Sequence, residues 1–110
     1  PVPFEDVCML EITRIKNKFE KKVKAIGFSG HHLGIAIDIA AYALGASWIE
    51  RHFTLDRTWK GTDHAASLEP TGLRKLNRDL NATYKSLTFK ENEILHIEKI
   101  QREKLKYKNK

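Results

Sequence analysis

Two short apolar runs each end in a pair of polar side chains of the types that bind metals or move protons. Ser29 and His31 close the first run, and Glu50 and His52 close the second. Side chains alternate between the two faces of a strand, so the members of each pair share a face. If the runs are neighbouring parallel strands, the four groups meet at the carboxyl end of a sheet or barrel, where sites form. A hydroxyl, a carboxylate and two imidazoles at that edge predict a polar site able to hold a divalent metal.

Each of these side chains also has a structural interpretation. A single histidine at a strand end is more often a hydrogen-bonded structural residue than a ligand, and Glu50 could simply pair with an arginine. His31 and His52 lie 21 positions apart, which matches no short zinc motif. His32 and His64 fall in loops and are expected to be solvated. The residues alone therefore leave metal binding and a purely structural role both open.

The elements that position these groups follow from hydrophobic spacing and turn signals. We predict helices over residues 3–20, 33–44 and 70–87, strands over 23–29 and 47–53, a loop over 54–67, and a last helix after a capping-box pattern at 88–91. Gly45 suits the position just after the second helix. A strand, a helix and a strand make a βαβ unit with parallel pairing. Because parallel strands are covered on both faces, we expect this chain to be part of a larger fold.

The strand faces that point away from the polar groups are predicted to pack on helices. They carry Ile26 and Phe28 in the first strand, and Ile49 and Phe53 in the second. The helix between the strands is apolar almost all round, and Asp38 is its one charged residue. Such a pattern indicates a helix packed closely against a sheet.

The charge of the 110-residue chain, +6, is concentrated at one end. Residues 99–110 hold six basic side chains and one acidic one, which is typical of a solvated helix end rather than a nucleic-acid surface. A single cysteine allows no internal disulfide and favours a reducing, cytoplasmic location. No apolar run approaches the roughly 20 residues that span a bilayer, so no membrane contact is expected. Because the sequence does not begin with Met, we expect a fragment of a longer protein.

Four segments carry a resemblance to a known family: residues 26–34 (IGFSGHHLG), 43–54 (ALGASWIERHFT), 61–64 (GTDH) and 67–70 (SLEP). They resemble the last two β/α units of the N-acetylneuraminate (sialic acid) synthase family, and residues 1–7 are similar to its stretch after strand six. The resemblance implies an α/β fold: a fragment of a TIM-type (β/α)8 barrel, strands seven and eight with flanking helices, plus C-terminal helices. It assigns residues 1–87 to the barrel domain and 88–110 to a basic C-terminal helix or tail.

The resemblance also implies a reaction, a transferase step of carbohydrate biosynthesis. Members of the family condense phosphoenolpyruvate with an open-chain N-acetylmannosamine-type aldehyde, giving phosphate and a nine-carbon 2-keto acid. By resemblance, His31 and His52 bind a divalent metal, Mn²⁺ or Mg²⁺, that polarises the aldehyde oxygen. Ser29 matches a phosphoenolpyruvate-binding serine, and Asp63 matches a sugar-hydroxyl ligand. Glu50 and His52 are the candidate catalytic residues, with Glu50 orienting a water or the aldehyde.

One position departs from the family pattern. The family commonly has Ser-Asp-His-Thr where this chain has Ser29, Gly30, His31 and His32. The change removes the Asp that usually supports the metal-binding histidine from behind. His32 is the candidate replacement.

Three interpretations from different classes follow. The first is a fragment of a sialic acid synthase, inactive alone because the family's phosphoenolpyruvate-binding lysines would lie before Pro1. The second is a synthase of a related nonulosonic acid (legionaminic or pseudaminic acid), or one that takes a phosphorylated sugar. The third is a non-catalytic interaction domain that uses the Lys-rich tail. For a fragment, exposed strand edges and apolar faces favour a homo-oligomer, most simply a dimer.

Overall fold

The computed structural model describes residues 1–61, 63–90 and 96–108. A 3₁₀ turn over Phe4–Asp6 comes first, and six longer elements follow it. These are α1 (Leu10–Phe19), β1 (Gly27–Gly30), α2 (Ala36–Ala43), β2 (Trp48–Arg51), α3 (Pro70–Ser86) and α4 (His96–Lys108). The predicted order of helices and strands is confirmed, and the strands and α2 are shorter than predicted.

The first predicted helix is wrong as a single element. The structure divides it into the 3₁₀ turn and α1, with Cys8 between them at a φ of 53°. A non-glycine residue in the left-handed region interrupts the helical hydrogen-bond ladder. Of the apolar side chains in the predicted helix, Ile12 is buried, whereas Phe4 is 58% exposed. The hydrophobic spacing therefore located α1 but gave no sign of the break before it.

The two strands pair in parallel, as predicted, with Ser29 opposite Glu50 and Gly30 opposite Arg51. A hydrogen bond from the amide of Ser47 to the carbonyl of Ile26 extends the pairing at the start of the strands (2.8 Å). In the described ranges the sheet has two strands. The structure therefore shows a small parallel α/β unit, and its place in a closed barrel stays a prediction.

The core lies on one side of this sheet, where α1 and α2 cover it. Ile12, Ala41 and Ala46 are its buried members, and the half-buried hydrophobics packed on them are Met9, Ile26, Phe28, Leu44 and Ile49. The small side chain of Ala41 lets α2 approach the strands closely. Three of the four strand residues predicted to face helices therefore do so.

Phe53 is the exception. It is 53% exposed, because β2 ends at Arg51 and the strand alternation no longer fixes its direction beyond that point. The backbone of Phe53 instead forms a parallel bridge with Leu68 at the end of the long loop. That bridge brings the loop back beside the end of β2.

Gly45 ends α2 in the way the sequence predicts. Its φ is +116°, and the amides of Gly45 and Ala46 donate to the carbonyls of Tyr42 and Ala41, both at 3.0 Å. This pair of bonds is the Schellman arrangement, which needs a residue with positive φ. The turn aims the chain directly into β2.

The C-terminal part of the chain follows the predicted order. α3 begins at Pro70, where proline is well suited to the first helical turn, and buries Leu76. The predicted capping box at 88–91 extends to residue 91, which lies outside the described ranges. The division of the chain at residue 87 stays a prediction. No helix in the described ranges is both long enough and apolar enough to cross a bilayer.

Candidate active site

The first pair of predicted site residues meets across the two strands. Ser29 and Glu50 are register partners, and the Ser29 hydroxyl donates to Glu50 Oε1 at 3.1 Å. Both lie on the exposed face of the sheet, away from α2. Among the described residues Glu50 makes no ion pair, so the arginine pairing considered for it is wrong. A hydroxyl and a carboxylate therefore stand together on an accessible surface.

The second pair lies just beyond the carboxyl ends of the two strands. The rings of His31 and His52 have centroids 5.1 Å apart and planes inclined at 52°. Asp63 joins them from the loop after β2, with its Oδ2 3.7 Å from Nε2 of His52. One ligand atom from each of these three residues lies within 4.8 Å of the others. The structure thus brings together the two histidines and the acid that the resemblance assigned to a sugar hydroxyl.

The donor set of His31, His52 and Asp63 fits a divalent ion. Two imidazoles and one carboxylate are a recurrent set for such ions and leave further coordination positions open. Ligand atoms bound at about 2.1 Å lie roughly 3–4 Å from one another around one ion. The ligand atoms lie within 4.8 Å of one another, so an ion that all three share would draw them closer together. His31 and Asp63 are half-buried and His52 is exposed, so the cluster is open to solvent on one side.

Backbone and side-chain bonds hold the segments that carry the cluster. The carbonyl of His31 accepts from the amide of Val2 at 2.9 Å, and the carbonyl of His52 accepts from the amide of Leu68 at 2.8 Å. The Ser67 hydroxyl donates to the carbonyl of Asp63 at 2.6 Å. The N-terminal segment and the end of the loop therefore flank the two histidines.

The loop that carries Asp63 is also held by His64. Its Nδ1 lies 3.0 Å from the Thr54 hydroxyl, and its ring meets the edge of Trp59 at a centroid distance of 6.0 Å. His64 is half-buried rather than solvated, so that expectation is wrong. Its neighbour Asp63 is positioned by a structured loop, although the sequence of this loop shows no period.

His32 departs most clearly from the sequence-based expectation. It was predicted to be solvated, but it is 0% exposed, and its Nε2 lies 3.2 Å from Oδ2 of Asp38. Burial lowers the pKa of His32, and the carboxylate of Asp38 opposes that shift. The signal that could have located it was Asp38, because a lone acid on a helix packed against a sheet needs a buried polar partner.

Most of the chain, including the candidate site, matches a known protein family. The NeuB family model matches residues 1–92, which contain both strands and every residue of the cluster. The chain belongs to the NeuB family. The resemblance to sialic acid synthases inferred from residues 26–34 and 43–54 is thereby confirmed.

Several relatives of this NeuB-family chain are named as synthases of N-acetylneuraminate 9-phosphate or of N,N'-diacetyllegionaminic acid. It is 45% identical to the human N-acetylneuraminate-9-phosphate synthase over 96% of its own length and 29% of that protein. It is 42% identical to the Campylobacter jejuni N,N'-diacetyllegionaminic acid synthase over 79% of its own length and 25% of that protein. The chain thus spans less than a third of these relatives.

A solved structure shows the same fold. The N-acetylneuraminic acid (sialic acid) synthetase of Leptospira borgpetersenii superposes with a TM-score of 0.74 and 36% identity, covering 99% of this chain and 36% of that one. A spore coat polysaccharide biosynthesis protein of Bacillus subtilis superposes with a TM-score of 0.66 and 31% identity, over 84% of this chain. The fold of the NeuB-family chain is therefore that of one segment of these larger proteins.

Proposed function

We propose that this NeuB-family chain supplies part of the active site of a synthase that joins phosphoenolpyruvate to an N-acetylated amino sugar. The products are a nonulosonic acid, such as sialic acid, and phosphate. The observation that carries the proposal is the cluster of His31, His52 and Asp63 beside the Ser29–Glu50 pair. All five lie at or beyond the carboxyl ends of two parallel strands, the position at which barrel enzymes build their sites.

His31 and His52 would hold the divalent ion, Mn²⁺ or Mg²⁺, and Asp63 is placed to bind either that ion or a sugar hydroxyl beside it. When bound, such an ion supplies Lewis-acid polarisation of the acceptor aldehyde. The contribution of the chain is orientation, since the two imidazoles follow directly after neighbouring strands that pair in parallel. Orientation of this kind is a large part of catalysis when two substrates must meet.

Ser29 and Glu50 suit the second substrate. The Ser29 hydroxyl has one proton, which Glu50 accepts in this structure. If an oxygen of phosphoenolpyruvate accepts this hydrogen bond in place of Glu50, the Glu50 carboxylate is free to accept a hydrogen bond from a water or to orient the aldehyde. Conversion of phosphoenolpyruvate and an aldehyde to a 2-keto acid and phosphate consumes one water. We assign the orientation of that water to the Glu50 carboxylate.

The identity of the acceptor sugar separates two forms of this proposal. Relatives named for N-acetylneuraminate 9-phosphate, legionaminic acid and pseudaminic acid all match the chain. The first of these matches at 45% identity over 105 residues, which favours an acceptor that gives N-acetylneuraminate or its 9-phosphate. A cytoplasmic location and a role without nucleic acid or membrane partners belong to the same proposal.

A chimera tests the proposed function. The aligned segment of the human synthase is replaced by this chain, and phosphate release from phosphoenolpyruvate is measured with N-acetylmannosamine and with its 6-phosphate. We expect acceptor-dependent phosphate release that is lost on His31→Ala and His52→Ala. Asp79→Asn, a change to a half-buried acid of α3 that pairs with Arg78, is the control and should keep the activity. A chimera that folds like the human protein yet releases no phosphate with either acceptor would contradict the proposal.

A further inference from the structure

A second polar cluster lies behind the candidate site, on the α2 side of the sheet. It consists of His32, Asp38 and Arg51, and we call it the buried clamp. The side chains of His32 and Asp38 are 0% exposed and that of Arg51 is 3% exposed. None of the three belongs to the cluster of possible metal ligands, so the clamp is a separate feature of the fold.

Arg51 is the centre of the clamp. Its Nη1 donates to Asp38 Oδ2 at 2.7 Å and to the carbonyl of Gly34 at 2.6 Å. Its Nη2 donates to the carbonyl of His32 at 2.7 Å and to that of Ala66 at 2.9 Å. One guanidinium therefore joins the end of β2 to the turn after β1, to α2 and to the loop that carries Asp63. A planar fork with several fixed donors is what makes arginine suited to such a junction.

The clamp is adjacent in sequence to both proposed metal ligands. His32 directly follows His31, and Arg51 directly precedes His52. His31 and His52 lie just beyond the strand ends, where strand alternation no longer sets the direction of a side chain. Their direction therefore depends on the backbone that they share with His32 and Arg51, which the clamp holds in place. Asp38 accepts a hydrogen bond from Arg51, and its carboxylate also lies within hydrogen-bond distance of Nε2 of His32. Asp38 therefore links the ends of the two strands.

Stability alone does not explain such a cluster. Desolvation of a buried ion pair often exceeds the attraction within it. Among the described residues, His32 Nδ1, Asp38 Oδ1 and Arg51 Nε have no hydrogen-bond partner, which adds to the cost. A role in positioning neighbouring side chains would account for a buried polar network that costs folding free energy. We infer that His32, Asp38 and Arg51 are positioning residues that set the separation of His31 and His52, an inference that rests on the proposed function of that pair.

The test measures ring separation without any metal. In the 110-residue chain in chelator, a through-space NMR cross-peak is sought between the carbon-bound ring protons of His31 and His52, assigned with His31→Gln and His52→Gln. The parent chain should show it. His32→Leu, which removes the polar ring, should lose it, whereas His32→Gln, which keeps an amide donor near the Nε2 position, should retain it. Asp79→Asn on α3 is the control and should change nothing.

Mn²⁺ titration gives the second measurement. We expect His32→Leu to raise the dissociation constant for Mn²⁺ by about tenfold or more, as the loss of residues that support metal ligands typically does. His32→Gln should restore most of the affinity. A folded His32→Leu chain with an unchanged cross-peak and unchanged affinity would overturn the inference. If His32→Leu unfolds, Arg51→Lys replaces it, and a retained cross-peak there has the same meaning. A parent chain that shows the cross-peak but binds no Mn²⁺ would refute the proposed metal site and not the clamp.

Discussion

A Cβ atom at Gly30 would lie 2.6 Å from Cε1 of His32 and 2.9 Å from its Nδ1. The His32 ring cannot readily move away, because it is buried and lies against Asp38 and Arg51. Gly30 is therefore the counterpart of His32: the imidazole fills the space that a side chain at position 30 would need. Gly30 and His32 are therefore expected to be coupled positions in this chain.

The first prediction follows from that pairing. Gly30→Asp alone should lower the free energy of unfolding by about 1–3 kcal/mol, the usual cost of overpacking. Gly30→Asp combined with His32→Thr should cost less than the sum of the two single changes, because the smaller side chain vacates the space. Urea unfolding of the three variants measures the coupling. Single effects that add within about 0.5 kcal/mol would show that the two positions are independent.

The second prediction concerns the turn between α2 and β2. Gly45→Ala should destabilise the chain by about 1–2 kcal/mol, because a φ of +116° strains any residue with a Cβ atom. The nearby Nζ of Lys16, 2.9 Å from the added Cβ, can swing aside, so the cost comes from the backbone. Gly72→Ala, inside α3 with open contacts of 3.4 Å or more, is the matched control and should stabilise by about 0.5–1 kcal/mol. Thermal unfolding followed by circular dichroism decides, and equal shifts for the two variants would contradict the argument.

The third prediction is that the 110 residues alone release no phosphate from phosphoenolpyruvate. They match 29% of the length of the human relative, and a barrel site draws residues from several different strands. The assay uses N-acetylmannosamine, its 6-phosphate and Mn²⁺. Acceptor-dependent phosphate release by the isolated chain would mean that these two strands hold far more of the site than the proposal assigns to them.

The fourth prediction is self-association of the isolated chain. The sheet face opposite α2 carries Trp48, which is 70% exposed, and the described part of the sheet has only two strands. Unpaired strand edges and exposed apolar surface favour pairing with a second copy. Sedimentation at micromolar concentration should show a dimer, and Trp48→Lys should shift it towards the monomer. A monodisperse, cooperatively folded parent monomer would contradict this prediction.

The sequence predicted the strand pairs better than the loops. Ser29 with Glu50 and His31 with His52 follow from alternation and parallel pairing, which depend only on local pattern. The position of Asp63 depends on the path of a loop that has no hydrophobic period. The family resemblance therefore suggested a role for Asp63, but the sequence did not predict that it lies beside His52. His32 was assigned to solvent because loops usually lie on the surface, whereas the buried acid Asp38 draws it inward.

The most direct test of the central claim is pulsed EPR of Mn²⁺ bound to this chain. The method detects nitrogen atoms bonded to the ion, so it shows whether His31 and His52 share it. We expect modulation from two imidazole nitrogens in the parent chain, from one in His31→Gln and in His52→Gln, and from two in the control His64→Gln. Asp63→Asn should weaken binding while both nitrogens remain. A parent spectrum with no imidazole coupling at saturating Mn²⁺, or one unchanged by both His31→Gln and His52→Gln, would contradict the account.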